Sequence, residues 1–245
     1  MPADLIFTEP KVTAVMITGK DARRYALARV AIQCFLNQTY RKSELLIIND
    51  GSESLASTDP RVREIRLAPC EGQSLGNLRN LAFEHASGEW LIQWDDDDWH
   101  APGRITAQMA ARTGDHDAAV VLCHQVRHSL VRGSAYVRTV RDGIPGTILH
   151  SRETAARYPA WKRNEDGDFL AQFPRKIVMD NDPLLYVRTY SGLNTWGERH
   201  IMRRMANQSR THRMRDDQWR YVEEVVLSQY DKVLDAVSAD AVATV

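Results

Sequence analysis

Trp90-Leu-Ile-Gln-Trp-Asp-Asp-Asp-Asp-Trp99 carries an apolar run into four consecutive carboxylates, Asp95 to Asp98. Adjacent carboxylates repel one another unless a positive charge is shared among them. A hard divalent cation, Mg²⁺ or Mn²⁺, takes oxygen ligands and supplies that charge, and Mg²⁺ is commonly held by one or two carboxylates plus substrate phosphates. The plainer reading is a solvated acidic loop. The apolar residues before it argue against that, since charged residues are seldom placed at the end of a buried strand without a partner. A second acidic run is Asn164-Glu-Asp-Gly-Asp168. Its plainer reading is a helix N-terminus, where the dipole favours acids.

The elements that must position these groups alternate in type. Residues 12–17, 45–48, 90–94 and 118–123 read as buried strands, rich in apolar residues, and 62–67 as a shorter strand. Residues 22–38, 75–86 and 102–112 read as helices between them, the last opened by Pro102. Later strands are expected at 136–140, 147–149, 176–179 and 184–189, short helices at 153–157 and from Glu165, and a long helix at 218–237. Strands alternating with helices at this spacing mean βαβ units. The expected fold is α/β, a Rossmann-like, mostly parallel central sheet flanked by helices in a single domain, residues 1–245. Ligands of such sheets bind beyond the carboxyl ends of the strands. Thr18, Asp50 and Asp95 to Asp98 share that edge, so Asp50 is placed to reach a base, and Asp95 and Asp97 a ribose and a metal. Arg79, on the preceding helix, suits a diphosphate, because guanidinium meets phosphate with a fork of donors.

Lys plus Arg and Asp plus Glu number 32 each, which argues against a chain that coats nucleic acid. Three cysteines without a CxxC pair indicate neither a disulfide framework nor a zinc site. The N-terminus lacks a basic region followed by an apolar one, and no apolar run reaches the ~18 residues of a membrane span. A cytoplasmic location is expected. Arg199, Arg203, Arg204, Arg210, Arg213 and Arg215 cluster late in the chain. They read either as solvated helix faces or as a peripheral contact with phosphate groups at the inner face of a membrane.

Five segments in order resemble the family 2 glycosyltransferases of the GT-A fold: Val12-Thr-Ala-Val-Met-Ile-Thr18, Phe35-Leu-Asn-Gln-Thr-Tyr40, Glu44-Leu-Leu-Ile-Ile-Asn-Asp-Gly-Ser52, Leu78-Arg-Asn80, and Ala86-Ser-Gly-Glu-Trp-Leu-Ile-Gln-Trp-Asp-Asp-Asp-Asp98 with Pro102 following. Asn49 stands where many members have Asp. The resemblance covers roughly residues 12–105, the nucleotide-sugar half, and leaves 106–245 as the acceptor half. It implies an inverting transferase using a nucleotide-diphosphate sugar, by default a UDP-sugar, with Mn²⁺ or Mg²⁺. The acceptor would be a saccharide or lipid-linked saccharide of a bacterial surface polysaccharide or lipopolysaccharide.

By motif, Thr18 and Asp50 would line the base pocket, Arg79 would contact base or diphosphate, and Asp95 and Asp97 would form the Asp-x-Asp pair on ribose and metal, with Asp96 able to share that role. Glu165-Asp166 resembles the family's Glu-Asp motif, which makes Asp166 the base and Asp168 its rival. His200 resembles the late metal ligand of some relatives, and Trp196 a stacking residue of their closing loop. Two other readings stand beside this one. A sugar-nucleotidyltransferase needs a Gly-rich basic loop that Thr18-Gly-Lys-Asp-Ala-Arg-Arg24 does not match. A non-catalytic nucleotide-sugar binder would have no use for the Glu165-Asp166 pair.

Overall fold

The computed structural model describes residues 9–19, 21–68, 73–194 and 211–230. Its centre is a seven-stranded sheet in the order β10-β6-β9-β4-β1-β2-β3. The strands are β1 (Val12–Thr18), β2 (Ser43–Asn49), β3 (Val62–Arg66), β4 (Trp90–Gln93), β6 (Ala118–Leu122), β9 (Leu149–Ser151) and β10 (Arg175–Met179). All run parallel except β9, which is antiparallel to both β4 and β6. The apolar runs are continuous because both faces are covered. On β2, Leu45 and Ile47 enter one core cluster and Leu46 and Ile48 the other, all at 0 % exposure. Each such side chain contributes about 2 kcal/mol of burial. Helix α1 (Ala22–Leu36) covers the first face. Helices α2 (Leu75–His85) and α4 (Glu165–Ala171) cover the second.

A second sheet runs in the order β12-β8-β7-β11-β5. It comprises β5 (Trp99–His100), β7 (His124–Ser129), β8 (Ser134–Thr139), β11 (Tyr186–Tyr190) and β12 (Thr211–His212). Val126, Val137 and Val187 on one face join the main core. The residues alternating with them are polar, which is why 124–129 carries no apolar strand signal. Helix α3 (Arg104–Ala111) lies between the sheets in sequence, and α5 (Asp216–Tyr221) runs into a π-helical turn, Val222–Leu227.

Two expectations fail. Residues 153–157 form no helix, because their amides are taken by side chains: Ala156 N donates to Thr154 Oγ1 at 3.2 Å and Arg157 N to Gln172 Oε1 at 3.1 Å. The strand expected at 147–149 begins instead at Leu149, after a 3₁₀ turn at Pro145–Thr147. In the late helical stripe Val222, Val226 and Tyr230 are each 0 % exposed, while Val233 and Val237 lie outside the described residues.

Candidate active site

The acidic turn is held from behind by a buried cation. Arg104 is 0 % exposed. It donates through Nη2 to Gln93 O at 2.9 Å, through Nε to Gln108 Oε1 at 3.2 Å, and through Nη1 to His100 Nδ1. Its guanidinium stacks over Trp94 and Tyr186 at 5.3 and 5.1 Å. Burial, then Arg104, pushes the His100 imidazole well below its usual range. A neutral ring that accepts at Nδ1 carries its proton on Nε2, which donates to Asp95 O at 3.2 Å. The backbone of the turn is therefore fixed before any of its carboxylates is used.

Those four carboxylates have different surroundings. Asp95 accepts from Gln93 Nε2 at 3.0 Å and from Arg79 Nη2 at 3.1 Å. Asp96 is paired with Arg24. Asp97 accepts from Asn194 Nδ2 at 2.8 Å and lies 3.7 Å from Arg24. Asp98 accepts from Thr189 N at 2.8 Å and from the Tyr186 hydroxyl, which ties the turn to β11. Their protonation differs accordingly. Burial works against the charged form of Asp95, but Arg79 and Arg188 hold its carboxyl below the usual range. Burial, together with the other three aspartates, drives Asp97 well above that range in spite of Arg24. Burial and then Asp95 push Asp98 up to about 6.

Helix α4 brings the second acidic run to the same place. Asn164 enters it with φ 63°, a left-handed conformation that Asn tolerates better than most residues. Glu165 is 3 % exposed and accepts from Arg79 Nε at 3.3 Å. Arg79 is thus a clasp between the acidic turn and the head of α4. Carboxylates on both sides raise its pKa against the burial that opposes them. Asp166 is half-buried, accepts from Gly167 N at 2.8 Å, and lines an open cleft. Asp95 to Asp98, Arg24, Arg79, Lys162, Glu165, Arg188 and Asn194 line that cleft with it. Asp168 does not line it, and its Oδ2 is buried without a hydrogen-bond partner.

Thr18 and Asp50 lie side by side at the ends of β1 and β2, both buried, with Asp50 N donating to Thr18 O at 3.1 Å. Gly19 between them is required. Its φ is +147°, and a Cβ there would sit 2.2 Å from Asp50 Oδ1. His200, Trp196 and Arg199 to Arg210 fall outside the described residues. Arg24, Arg188 and Asn194 went unread in the sequence. They come from three separate segments and carry no local pattern that marks them.

The donor set of the acidic turn fits a hard divalent cation. It is all oxygen, and the crowding of like charge that raises the pKa of Asp97 is charge a cation would relieve. Cys123, His124 and Asp180, at the ends of β6 and β10, also place donor atoms within 4.8 Å of one another. A thiol and an imidazole are softer ligands and suit Mg²⁺ poorly.

The sequence profile described as Glycosyl transferase family 2 matches residues 22–182. The "Putative glycosyltransferase EpsH" of Bacillus subtilis (strain 168) is 35 % identical over 104 residues, 39 % of this chain and 29 % of that protein. The "Uncharacterized glycosyltransferase RC0461" of Rickettsia conorii is 25 % identical over 118 residues, 46 % of this chain and 19 % of that one. The chain therefore spans under a third of either relative. Among solved structures, S. aureus TarS 1-349 in complex with UDP-GlcNAc has a TM-score of 0.56 at 16 % identity, over 77 % of this chain and 60 % of that one. S. aureus TarS has 0.57 at 15 %, over 90 % and 43 %. These likenesses show the shared fold.

Proposed function

The chain belongs to glycosyl transferase family 2, and from that premise we propose an inverting transferase that moves a sugar from a nucleoside-diphosphate donor to an acceptor hydroxyl. The observation that carries this reading is the Arg79 clasp. It joins Asp95, on the nucleotide side, to Glu165, beside the base candidate Asp166, across one cleft.

Inversion needs a base on the side of the sugar opposite the leaving diphosphate. Asp166 takes the acceptor proton as the hydroxyl attacks, and its exposure to the cleft leaves it accessible. Glu165 and Arg79 position it. Asp95 and Asp97 would hold the divalent cation, with His200 as a further ligand, and the cation would offset charge developing on the leaving diphosphate. Arg24 and Lys162 add positive charge to the cleft from the chain itself. Thr18 and Asp50, which are not among the residues lining the cleft, would form the base pocket, and Asp96 keeps Arg24 in place.

The structures solved with UDP and with UDP-GlcNAc support a UDP-sugar as the donor. Residues 12–105 serve the donor and 106–245 the acceptor. A saccharide or lipid-linked saccharide of a surface polysaccharide is the acceptor class this reading favours. No helix among the described residues is long and apolar enough to cross a membrane. A peripheral approach through the basic run around Arg199 to Arg215 fits a lipid-linked acceptor. Of that run, Arg213 and Arg215 are described, and Arg215 is exposed and paired with Asp217 at 3.0 Å.

Calorimetric titration with UDP, GDP, CDP and dTDP, each with Mn²⁺ and with EDTA, tests the nucleotide and metal assignment. The account expects metal-dependent binding of UDP. Failure of a folded protein to bind any of the four would remove the acidic turn as a nucleotide–metal site.

A further inference from the structure

One face of the second sheet is polar and positive, and Arg188 on that face lines the cleft. Arg127 on β7 lies opposite Tyr136 on β8 and opposite Arg188 on β11. Two residues back, Gln125 lies opposite Arg138, which lies opposite Thr211. Alternate residues of a strand share a face. These residues therefore occupy the side from which Tyr186 reaches Asp98, and Val126, Val137 and Val187 occupy the core side. Arg188 lines the cleft with Asp166, and Arg127 lies directly beside Arg188 on the neighbouring strand, so the row of cations begins at the cleft.

As it stands the row is incomplete. Like charges directly opposite one another on neighbouring strands are destabilising. Among the described residues Arg127 makes no ion pair; the neutral Tyr136 side chain is its neighbour, and its Nε is buried without an acceptor. Burial, with Arg188 and Arg138 beside it, draws its pKa down to about 10. Gln125 is 0 % exposed, and neither its Nε2 nor its Oε1 has a hydrogen-bond partner. Buried side-chain amides are nearly always bonded, so a pair of orphaned atoms beside a buried guanidinium marks a place for a ligand. The missing partner must bring negative charge for Arg127 and a group that both donates and accepts for Gln125. A hydroxylated oxyanion meets both demands.

Resting on the transferase reading, we propose that Arg127, Gln125 and Arg188 form the acceptor subsite, and that the acceptor is a saccharide bearing an oxyanion, phosphate or carboxylate, near the hydroxyl to be glycosylated. Arg127 holds the charged group and Gln125 a neighbouring hydroxyl. Arg188, nearer the cleft, turns the attacking hydroxyl toward Asp166.

The test uses the full chain saturated with UDP and Mn²⁺, so that the donor subsite is filled. It is titrated calorimetrically with glucose 1-phosphate, glucuronate and methyl glucoside. At least one anionic saccharide is expected to bind at least about tenfold more tightly than the neutral one, as charge-assisted hydrogen bonds imply. Which of the two does so identifies the charged group. Arg127→Gln is expected to lose about tenfold or more in that affinity with an equal or higher melting temperature, because the repulsion from Arg188 goes with it. Should Arg127→Gln not fold, Gln125→Leu is expected to weaken the same binding at full stability. Equal affinity for methyl glucoside and the anions, undiminished binding in both variants, or anion binding that UDP abolishes would overturn the proposal. UDP binding is read in the same samples. Its absence would remove the transferase reading, and repeating the anion series without UDP would then decide the subsite alone.

Discussion

Gln108 and Gln125 are both 0 % exposed, and they lead opposite lives. Gln108, on α3 behind the acidic turn, donates to Thr147 O at 2.7 Å and Val120 O at 3.2 Å and accepts from Arg104. Gln125, on the second sheet, has no partner on either amide atom. The arginines repeat the contrast. Arg104 has an acceptor at each of its three nitrogens and two aromatic rings stacked on it. Arg127 faces another arginine. One region is a finished structural device that sets the height and direction of the acidic turn. The other is stable only because the rest of the fold holds it, and it is shaped for something that comes from outside. Buried polarity therefore carries two meanings here, and the hydrogen-bond count separates them.

The contrast breaks first at Arg104. Arg104→Met leaves Gln93 O, His100 Nδ1 and Gln108 Oε1 without a donor, and urea denaturation should show a loss of about 3 kcal/mol. A loss below about 1 kcal/mol would put Arg104 in the same class as Arg127.

His150 sharpens the comparison within the central sheet. Its ring is packed against Phe83, Phe169 and Phe173, and burial lowers its pKa to about 4. The unfolded chain takes up that proton near pH 6.5 and the folded one only near pH 4, so stability falls as pH drops through this window. Between pH 7 and 5 this group removes about 2 kcal/mol, a loss that His150→Phe should abolish. An unchanged acid sensitivity in the variant would place the titration elsewhere.

The smallest effect has the opposite sign. Gln125→Leu removes an unsatisfied amide and should raise the stability of the ligand-free protein by about 1 kcal/mol, whereas Gln108→Leu should lower it by about 2 kcal/mol. Equal losses in the two variants would erase the distinction.

The same division governs what the sequence shows. Residues 45–48 and 118–122 are continuous apolar runs because both faces of the central sheet are covered, and their strands are plain from composition. Asp95 to Asp98, Glu165 and Asp166 stand out because carboxylates at strand and helix ends need a reason. β7 escapes notice because Gln125, Arg127 and Ser129 give one of its faces the look of a loop. The helix expected at 153–157 is undone by contacts with Gln172, a residue 15 positions away from Arg157. Arg24 and Arg188 are ordinary in their own segments, and only the fold brings them to the aspartates.

The central claim is that Asp166 removes the acceptor proton in a cleft whose nucleotide side does not depend on it. Transfer from the UDP-sugar and UDP binding, measured side by side in wild type and Asp166→Asn, test it most directly. The account predicts a fall in turnover of about a thousandfold, with the UDP affinity unchanged. Turnover within a few-fold of wild type would contradict it and move the base elsewhere in the cleft.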